Sequence, residues 1–194
     1  MNVFTALGAV LGTGFSSGLN LYATIVTLGL LQRLHVIHLQ QPLQVVANSW
    51  VLGIAAILYF VEFFADKVPY VDTIWDAVHT FIRPPAAALL AYASTGAVAP
   101  EWRWGAALLA GGVALTSHGA KASTRAAINA SPEPFSNWTL SFAEDLLAVW
   151  LTWMATAHPL AATIVVGGLL IVSAVLIHYL FRFARHAFQK LCTA

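Results

Sequence analysis

Charged side chains are scarce in this sequence: lysine, arginine, aspartate and glutamate make up 9% of its 194 residues, whereas 59% are hydrophobic. A separate soluble domain is excluded, because such domains usually carry about 25% charged residues. The composition therefore predicts an integral membrane protein in one domain, with the lipid bilayer as a partner.

Cysteine is nearly absent as well. Cys192 is the only one, so an intrachain disulfide is excluded. Basic runs are missing, and with a net charge of +1 this predicts no nucleic-acid partner. Nucleotide-binding glycine loops, zinc-protease motifs and nucleophile elbows are also missing, so no cofactor is expected. The first ten residues lack the basic region of a signal peptide, and we expect them to stay as the first helix.

Long apolar runs dominate instead. A helix needs about 20 apolar residues to cross a bilayer, and six candidates lie near 4–31, 43–64, 75–97, 104–128, 139–157 and 160–181. The predicted fold class is all-α, a polytopic transmembrane bundle of about six helices over residues 1–194. Arg182, Arg185 and Lys190 place the C-terminus in the cytoplasm. Six crossings then place the N-terminus there too.

Prolines predict that some of these helices are broken or re-entrant. Pro69 lacks an amide hydrogen and disfavours helix at the residue before it, so helix should resume at about Asp72. Pro84 and Pro85 should kink the third span or delay its start, and Pro132 and Pro134 form a second break. At membrane depth, broken backbone is tolerated only beside protein or water.

An internal inverted repeat is an alternative to an unrepeated bundle. SSGLNLYAT (16–24) is similar to SHGAKASTR (117–125), and VPYVDTIWD (68–76) is similar to EPFSNWTLS (133–141). The half-repeats would span 1–98 and 104–187. Breaks at matching places in two halves point to a transport site near the bilayer midplane.

Acidic residues crowd into 58–90. A lone charge at the bilayer centre costs roughly 2.5–3.5 kcal/mol, so these groups must face one another, water or the membrane surface. Helical spacing lets the acids share faces with His79 and Arg83. They could relay protons or bind a cation, and Asp72, Asp76 and His79 could hold a divalent metal. The structural alternative is helix capping and ion pairing.

A basic stripe follows on the fourth helix, with His118, Lys121, Arg125 and Asn129 at i, i+3, i+7 and i+11. It would attract an anionic substrate or pair with the acids, although Arg125 could instead reach the membrane surface. With Lys67 and Arg83 there are four cations near seven acids. The excess of acid predicts that some carboxylates are protonated or bind a cation. The seven acids are Glu62, Asp66, Asp72, Asp76, Glu133, Glu144 and Asp145.

These patterns predict a polar site without catalytic residues. Glu144 and Asp145 point about 100° apart on a helix, and Glu144 is the favoured member. The predicted substrate, ion or proton-coupling residues are Glu62, Asp66, Asp72, Asp76, His79, Arg83, His118, Lys121, Arg125 and Glu144. The predicted polar lining is Asn20, Asn129, Glu133, Asn137 and Asp145.

Small residues mark the first helix. The pairs Gly8/Gly12 and Gly14/Gly18 allow close approach of another helix. That helix belongs either to a second copy in a homo-oligomer or to the same chain.

Three segments resemble a known family. GLNLYATIVTLGLLQR, VEFFADKVPYVDTIWDAVHTFIRPPAAALL and SHGAKASTRAAINASPEPFSNWTLSFAED are similar to the domain of unknown function 4126 family of small, mainly bacterial membrane proteins. The resemblance runs from about Gly14 to His158. It implies an integral protein of a bacterial cytoplasmic membrane, and no substrate or catalytic residue.

We expect a small secondary transporter, or a proton- or cation-coupled translocator, that moves a small solute or ion through a buried polar cavity. One alternative is a structural or accessory subunit whose buried ion pairs fix helix register. Another is an intramembrane enzyme acting on lipid headgroups, with Lys121 and Arg125 binding phosphate.

Overall fold

The computed structural model describes residues 3–130 and 134–192, and within these ranges the chain is helical without strands, as predicted. The helices are α1 (Val3–Leu19), α2 (Leu21–Arg33), a 3₁₀ helix (Gln41–Ala47), α3 (Ser49–Ala65), α4 (Val71–His79), α5 (Arg83–Ser94), α6 (Pro100–Asn129), α7 (Pro134–Ala157) and α8 (Pro159–Cys192).

Burial is inverted relative to a water-soluble protein. Ionisable side chains such as Glu62 and Arg83 are 0% exposed, whereas Phe81 is 82% exposed and Leu108 and Ile164 are each 77% exposed. In water-soluble proteins, charged residues are almost never fully buried unless they are paired. The interior therefore contains a cluster of charged side chains beside apolar clusters such as that around Phe15 and Leu151, and many large apolar side chains lie on the perimeter.

Within the described residues, one helix is long and apolar enough to cross a membrane by length and composition. It covers Pro159–His186, with a mean hydropathy of 2.7. The 3₁₀ helix and α3, bent by 59°, pass the same test together. Among the described helices, α1, α2, α4 and α5 are short, and α6 and α7 carry buried charges, so the six predicted spans are not confirmed by this measure.

The first predicted span is not one helix, because it breaks at Asn20. This residue is extended (φ −150°, ψ 103°), and its side-chain oxygen accepts a hydrogen bond from the Ala23 amide, which caps α2. Thr5, at the start of α1, and Val36, just after α2, line the same cavity. In one straight helix they would lie about 45 Å apart. The chain therefore folds back, and α1 and α2 form a helical hairpin.

The third predicted span is broken, as expected. Tyr70 follows Pro69 with φ 70°, which is uncommon for a residue with a side chain, and α4 begins directly after it. After α4 ends, α5 begins at Arg83 with Pro84 and Pro85 in its first turn. Amide groups in the first turn have no partner within the helix, so the two prolines cost no helical hydrogen bond there. Together α4 and α5 run antiparallel to α6.

The bundle has two distinct ends. The cavity end is defined by a 380 Å³ cavity lined by residues that include Thr5, Val36, Ser94 and Ala157. The tail end is where α3 leads into α4, where α6 and α7 meet, and where α8 finishes. Since α8 starts at Pro159 in the cavity lining and runs beside α6, α1 begins and α8 ends at opposite ends.

The predicted repeat is only partly reflected in the helices. α4 and α7 both begin at a proline-bearing segment, as the second alignment requires. In the first alignment, however, Asn20 ends a helix whereas α6 is continuous through residues 117–125. The repeat stays a prediction. The break expected at Pro132 lies outside the described residues.

The glycines of α1 are covered within the chain. Gly14 faces α6 so closely that a methyl group there would lie 3.0 Å from the Ala110 carbonyl oxygen, and Gly18 faces Ala114 and Ser117. Gly8 and Gly12 face Pro159 and Ala155. Packing within one chain therefore accounts for these glycines, and the homo-oligomer stays a prediction.

The close packing at Gly18 is testable. Gly18→Ala should lower the free energy of unfolding by about 1–3 kcal/mol, because the added methyl overlaps the Ala114 carbonyl and the Ser117 hydroxyl. A methyl at Gly112 meets nothing within 4 Å, so Gly112→Ala should raise stability by up to about 1 kcal/mol. Thermal unfolding followed by circular dichroism measures both. Equal effects of the two changes would contradict the packing.

Candidate functional site

Three cations and five carboxylates form one buried network where α3, α4, α5, α6 and α7 approach the break in α1. Lys121 of α6 lies at its centre. Its Nζ is 2.8 Å from Asp66 Oδ2 and 3.4 Å from Glu62 Oε1, and it donates a hydrogen bond to the Leu19 carbonyl. The Lys121 side chain is 0% exposed. The predicted pairing of the basic stripe with the acids is confirmed here.

Arg83 joins the acids to the broken helix. Its Nη2 lies 2.7 Å from Glu62 Oε1, and its Nη1 donates to the Gly18 carbonyl at 2.8 Å. The last carbonyls of a helix lack partners within that helix and carry the negative end of its dipole. Arg83 and Lys121 satisfy two such carbonyls, Gly18 and Leu19. The break in α1 is therefore stabilised by cations from α5 and α6.

Arg125 pairs inward and does not reach the membrane surface. Its Nη1 donates to the Asp66 carbonyl at 2.8 Å, and its Nη2 contacts both Asp66 Oδ2, at 3.1 Å, and Glu144. The side chain is 0% exposed, so the surface-reaching alternative is wrong. Asp72 Oδ2 lies 3.7 Å from Nη1.

Asp72 joins the starts of α4 and α7 at the tail end. Its Oδ1 accepts from Asn129 at 2.8 Å and from the Thr73 amide, and its Oδ2 accepts from Asn137 at 3.3 Å. These neutral donors stabilise a carboxylate without a directly hydrogen-bonded cation. Asn129 and Asn137 therefore line the site as predicted.

Glu144 and Asp145 diverge as their helical spacing predicts. Glu144 binds Arg125, whereas Asp145 Oδ1 accepts from Asn20 Nδ2 at 2.8 Å. Asn20 thus caps α2 with its oxygen and holds α7 with its amide nitrogen. Glu133, the remaining predicted acid, lies outside the described residues.

The two histidines differ in their capacity to change charge. His118 Nδ1 lies 2.8 Å from Arg83 Nη1, which can only donate, so we assign Nδ1 as an acceptor and Nε2 as the protonated nitrogen. That Nε2 lies 3.0 Å from the Asp76 carbonyl. Protonation of His118 at Nδ1 would leave two donors, Nδ1–H and the Arg83 Nη1–H, facing each other without an acceptor. His79 Nε2, in contrast, faces the Tyr22 hydroxyl at 3.0 Å, which can accept or donate.

Sequence reasoning missed Tyr22 and Thr80 as members of the site. Thr80 Oγ1 lies 3.0 Å from His118 Nε2. The available signal was weak: each is a hydroxyl residue one or two positions from a residue already singled out, Asn20 or His79. A divalent metal at Asp72, Asp76 and His79 was one possibility, and it lacks support because the described residues contain no group of three side chains that could hold a metal ion.

Lys67 is not part of the network, contrary to the sequence-based expectation. Its Nζ lies 3.0 Å from the centroid of the Phe63 ring and donates to Ser141 at 3.3 Å. None of the described carboxylates makes an ion pair with it. Partial burial lowers the pKa of the Lys67 ammonium, and the negative charges of Asp145 and Asp66 oppose this shift.

The charged side chains of the network are buried and meet by direct contact. The 380 Å³ cavity and a second of 600 Å³, at α1 and the start of α6, are lined by other residues. Several buried oxygens of the network nevertheless lack a hydrogen-bond partner among the described residues. They are Glu62 Oε2, Asp66 Oδ1, Asp76 Oδ1 and Asp76 Oδ2.

Comparison with known proteins gives one match, which covers most of the chain. Residues 7–179 match the family described as a domain of unknown function (DUF4126). The chain belongs to this family. The resemblance carried by the three sequence segments is thus confirmed for the DUF4126 protein, and the match extends beyond them on both sides. No curated protein and no solved structure matches.

Loss of one network cation should be costly. Lys121→Met leaves Asp66 and Glu62 buried with fewer partners and should lower the free energy of unfolding by about 3–5 kcal/mol. Lys67→Met is the matched control and should cost less than about 1 kcal/mol, since only ring contacts and hydrogen bonds are lost. Reversible unfolding in detergent measures both.

A second variant separates the ion pair from general packing. Asp66→Asn combined with Lys121→Met should destabilise less than the sum of the two single changes, with a coupling of about 0.5–3 kcal/mol. Simple additivity would show that the pair contributes nothing specific.

Proposed function

We propose that the DUF4126 protein is a polytopic membrane protein and a small secondary transporter, in which the buried network couples movement of a small solute or ion to a proton or cation. The observation that carries this proposal is the excess of buried acid. Five carboxylates lie within 4.0 Å of Arg83, Lys121 or Arg125, so two negative charges stay unbalanced if all are ionised.

Such an excess is expensive in a purely structural site. An uncompensated buried charge costs several kcal/mol, and the group takes up a proton or another cation instead. A protein that only needed helix register would be more stable with balanced charges. Exchange of protons or cations at the unbalanced carboxylates is the chemistry that coupled transport requires.

Placement in a membrane is supported by the inverted burial. Exposed side chains along α6 and α8, such as Leu108, Ile164 and Ile171, would contact lipid, while the charges stay inside. The proposed bundle has five crossings, by α3, the α4–α5 pair, α6, α7 and α8. The α1–α2 hairpin enters and leaves on the cavity end, its broken backbone held by protein groups.

A polar stripe on α1 offers a route from the cavity to the network. Thr5, Ala9 and Thr13 line the cavity at successive four-residue steps. Ser17 continues this face, is 0% exposed, and its hydroxyl has no hydrogen-bond partner among the described residues. Asn20 follows about 10 Å from Thr13 along the helix. We propose that solute or water reaches the network along this stripe.

The accessory-subunit reading is the second candidate, and one observation favours it. All three network cations already make direct hydrogen bonds to carboxylates of the same chain, as a structural network requires. These contacts also occupy Lys121 and Arg125, which the lipid-headgroup enzyme would need for phosphate. The accessory reading predicts stability effects without any solute flux.

The folded-back hairpin predicts opposite sides for the start of α1 and the end of α8. Arg182 and Arg185 favour the cytoplasm for the tail end. We propose that the N-terminus lies on the opposite side, as an alternative to the arrangement with both termini in the cytoplasm. In a Cys192→Ser background, Phe4→Cys should react with a membrane-impermeant maleimide applied to intact cells. Arg185→Cys should react only after lysis. Equal labelling of both positions before lysis would contradict the hairpin topology.

Flux into proteoliposomes tests the transport proposal. The protein should move at least one member of a panel of protons, alkali cations and small organic or inorganic anions faster than empty liposomes. Ala9→Trp fills the cavity far from the charges and should reduce this flux strongly. Ala99→Trp, at the same end but outside this cavity lining, should leave it unchanged. No flux of any solute by the wild type would favour the accessory reading.

A further inference from the structure

We propose that Asp76 is the carboxylate that takes up and releases the coupled proton, and that Arg83 and Arg125 change partners when it does so. This inference rests on the proposed function and names the group within that site. Asp76 is 2% exposed, and neither of its carboxylate oxygens accepts a hydrogen bond from the described residues.

Asp76 differs in this from every other acid of the network. Glu62, Asp66 and Glu144 each accept a direct hydrogen bond from a cation, and Asp72 accepts bonds from amide nitrogens. The closest cations to Asp76 are Arg83 Nη2, 3.6 Å from Oδ1, and Arg125 Nε, 4.0 Å from Oδ2. These distances exceed those of a charge-assisted hydrogen bond, about 2.7–2.9 Å.

Charge balance supports a proton on Asp76 in this arrangement. Three cations neutralise Glu62, Asp66 and Glu144 through direct contacts, and the donors around Asp72 stabilise its charge. One carboxylate is left over. A neutral Asp76 removes that charge and needs no close cation, which agrees with the separations observed.

Donors for the ionised form are already beside it. Arg83 Nε and Arg125 Nε are buried and have no acceptor among the described residues. When Asp76 releases its proton to water, its carboxylate can draw Arg125 Nε, or the Arg83 guanidinium, into a direct bond. When it takes a proton from water, the arginines return to Glu62, Asp66 and Glu144. The O–H bond of the Asp76 carboxyl group is the only covalent bond of the protein that is made or broken in this exchange.

The change of partners at Arg83 also affects the α1–α2 hairpin. Arg83 also donates to the Gly18 carbonyl, so its movement toward Asp76 weakens a bond that holds the end of α1. The hairpin borders the 380 Å³ cavity through Thr13 and Leu28. Deprotonation of Asp76 would thus loosen the wall between the cavity and the network.

Several other charged or titratable groups lie near Asp76. Those on the facing helices are Arg83, Arg125, His118 and Glu62, and those on its own helix are Asp72 and His79. His118 is held as an acceptor by Arg83. His79 can change charge, but it would not yield a protonated carboxyl group, and this separates it from Asp76 by spectroscopy.

Infrared difference spectroscopy of the full chain across pH tests the assignment without any solute. The wild type should show a protonated-carboxyl band that disappears as pH rises. Asp76→Asn should lack the band, and Asp76→Glu should keep it at a shifted position. Asp145→Asn is the matched control, since Asp145 is also buried and makes no ion pair among the described residues, and the band should persist there.

Stability supplies a second readout. Because the Asp76 oxygens accept no hydrogen bond, Asp76→Asn should unfold at a temperature close to that of the wild type. Should it fail to fold, the shifted band and changed titration midpoint of Asp76→Glu decide the assignment. A band lost in Asp145→Asn and kept in Asp76→Asn would overturn it.

A transport assay distinguishes a failure of this inference from a failure of the proposed function. With a solute that the wild type accumulates on a pH gradient, Asp76→Asn should not accumulate it. Gradient-driven accumulation by Asp76→Asn at the wild-type level would overturn the inference while transport stands. A wild type that moves no solute defeats the proposed function, and the infrared band still decides where the proton lies.

Discussion

The bond between buried cations and the broken end of α1 is the interaction on which the rest of the structure depends. Helix α1 stops in the protein interior, where the Gly18 and Leu19 carbonyls have no partner within the helix. Arg83 and Lys121 donate to them, and these cations are acceptable inside only because Glu62 and Asp66 stand beside them. The α1–α2 hairpin and the ion-pair network therefore require each other.

This mutual requirement explains the inverted distribution of side chains. Charges that must meet at a helix break cannot also lie on the perimeter, so the outer faces are left to leucine, isoleucine and aromatic residues such as Leu108 and Phe81. In lipid that arrangement would be favourable, because apolar side chains would contact hydrocarbon and most of the charges are paired inside the protein. The distribution of side chains in the DUF4126 protein is therefore compatible with a lipid bilayer.

The network is also unbalanced, and this links its structure to the proposed transport. A stabilising network needs equal charges, whereas this one contains more carboxylates than cations. Protons or cations can then bind to the excess carboxylates of the network and leave them again. Because Arg83 contacts both Glu62 and the hairpin, a change in charge at one carboxylate alters the packing of α1.

The sequence by itself determined the helical class, the family, the break at Pro69 and most of the charged residues that meet in the buried network, because local backbone chemistry and the cost of burying charge act on single positions. It could not show that the chain turns back at Asn20, since an asparagine in an apolar run is compatible with a continuous helix. It also could not show that Lys67 lies on Phe63 while Lys121 binds Asp66. Only the tertiary structure decided these points, because residues far apart in the chain come within bonding distance only when the helices pack.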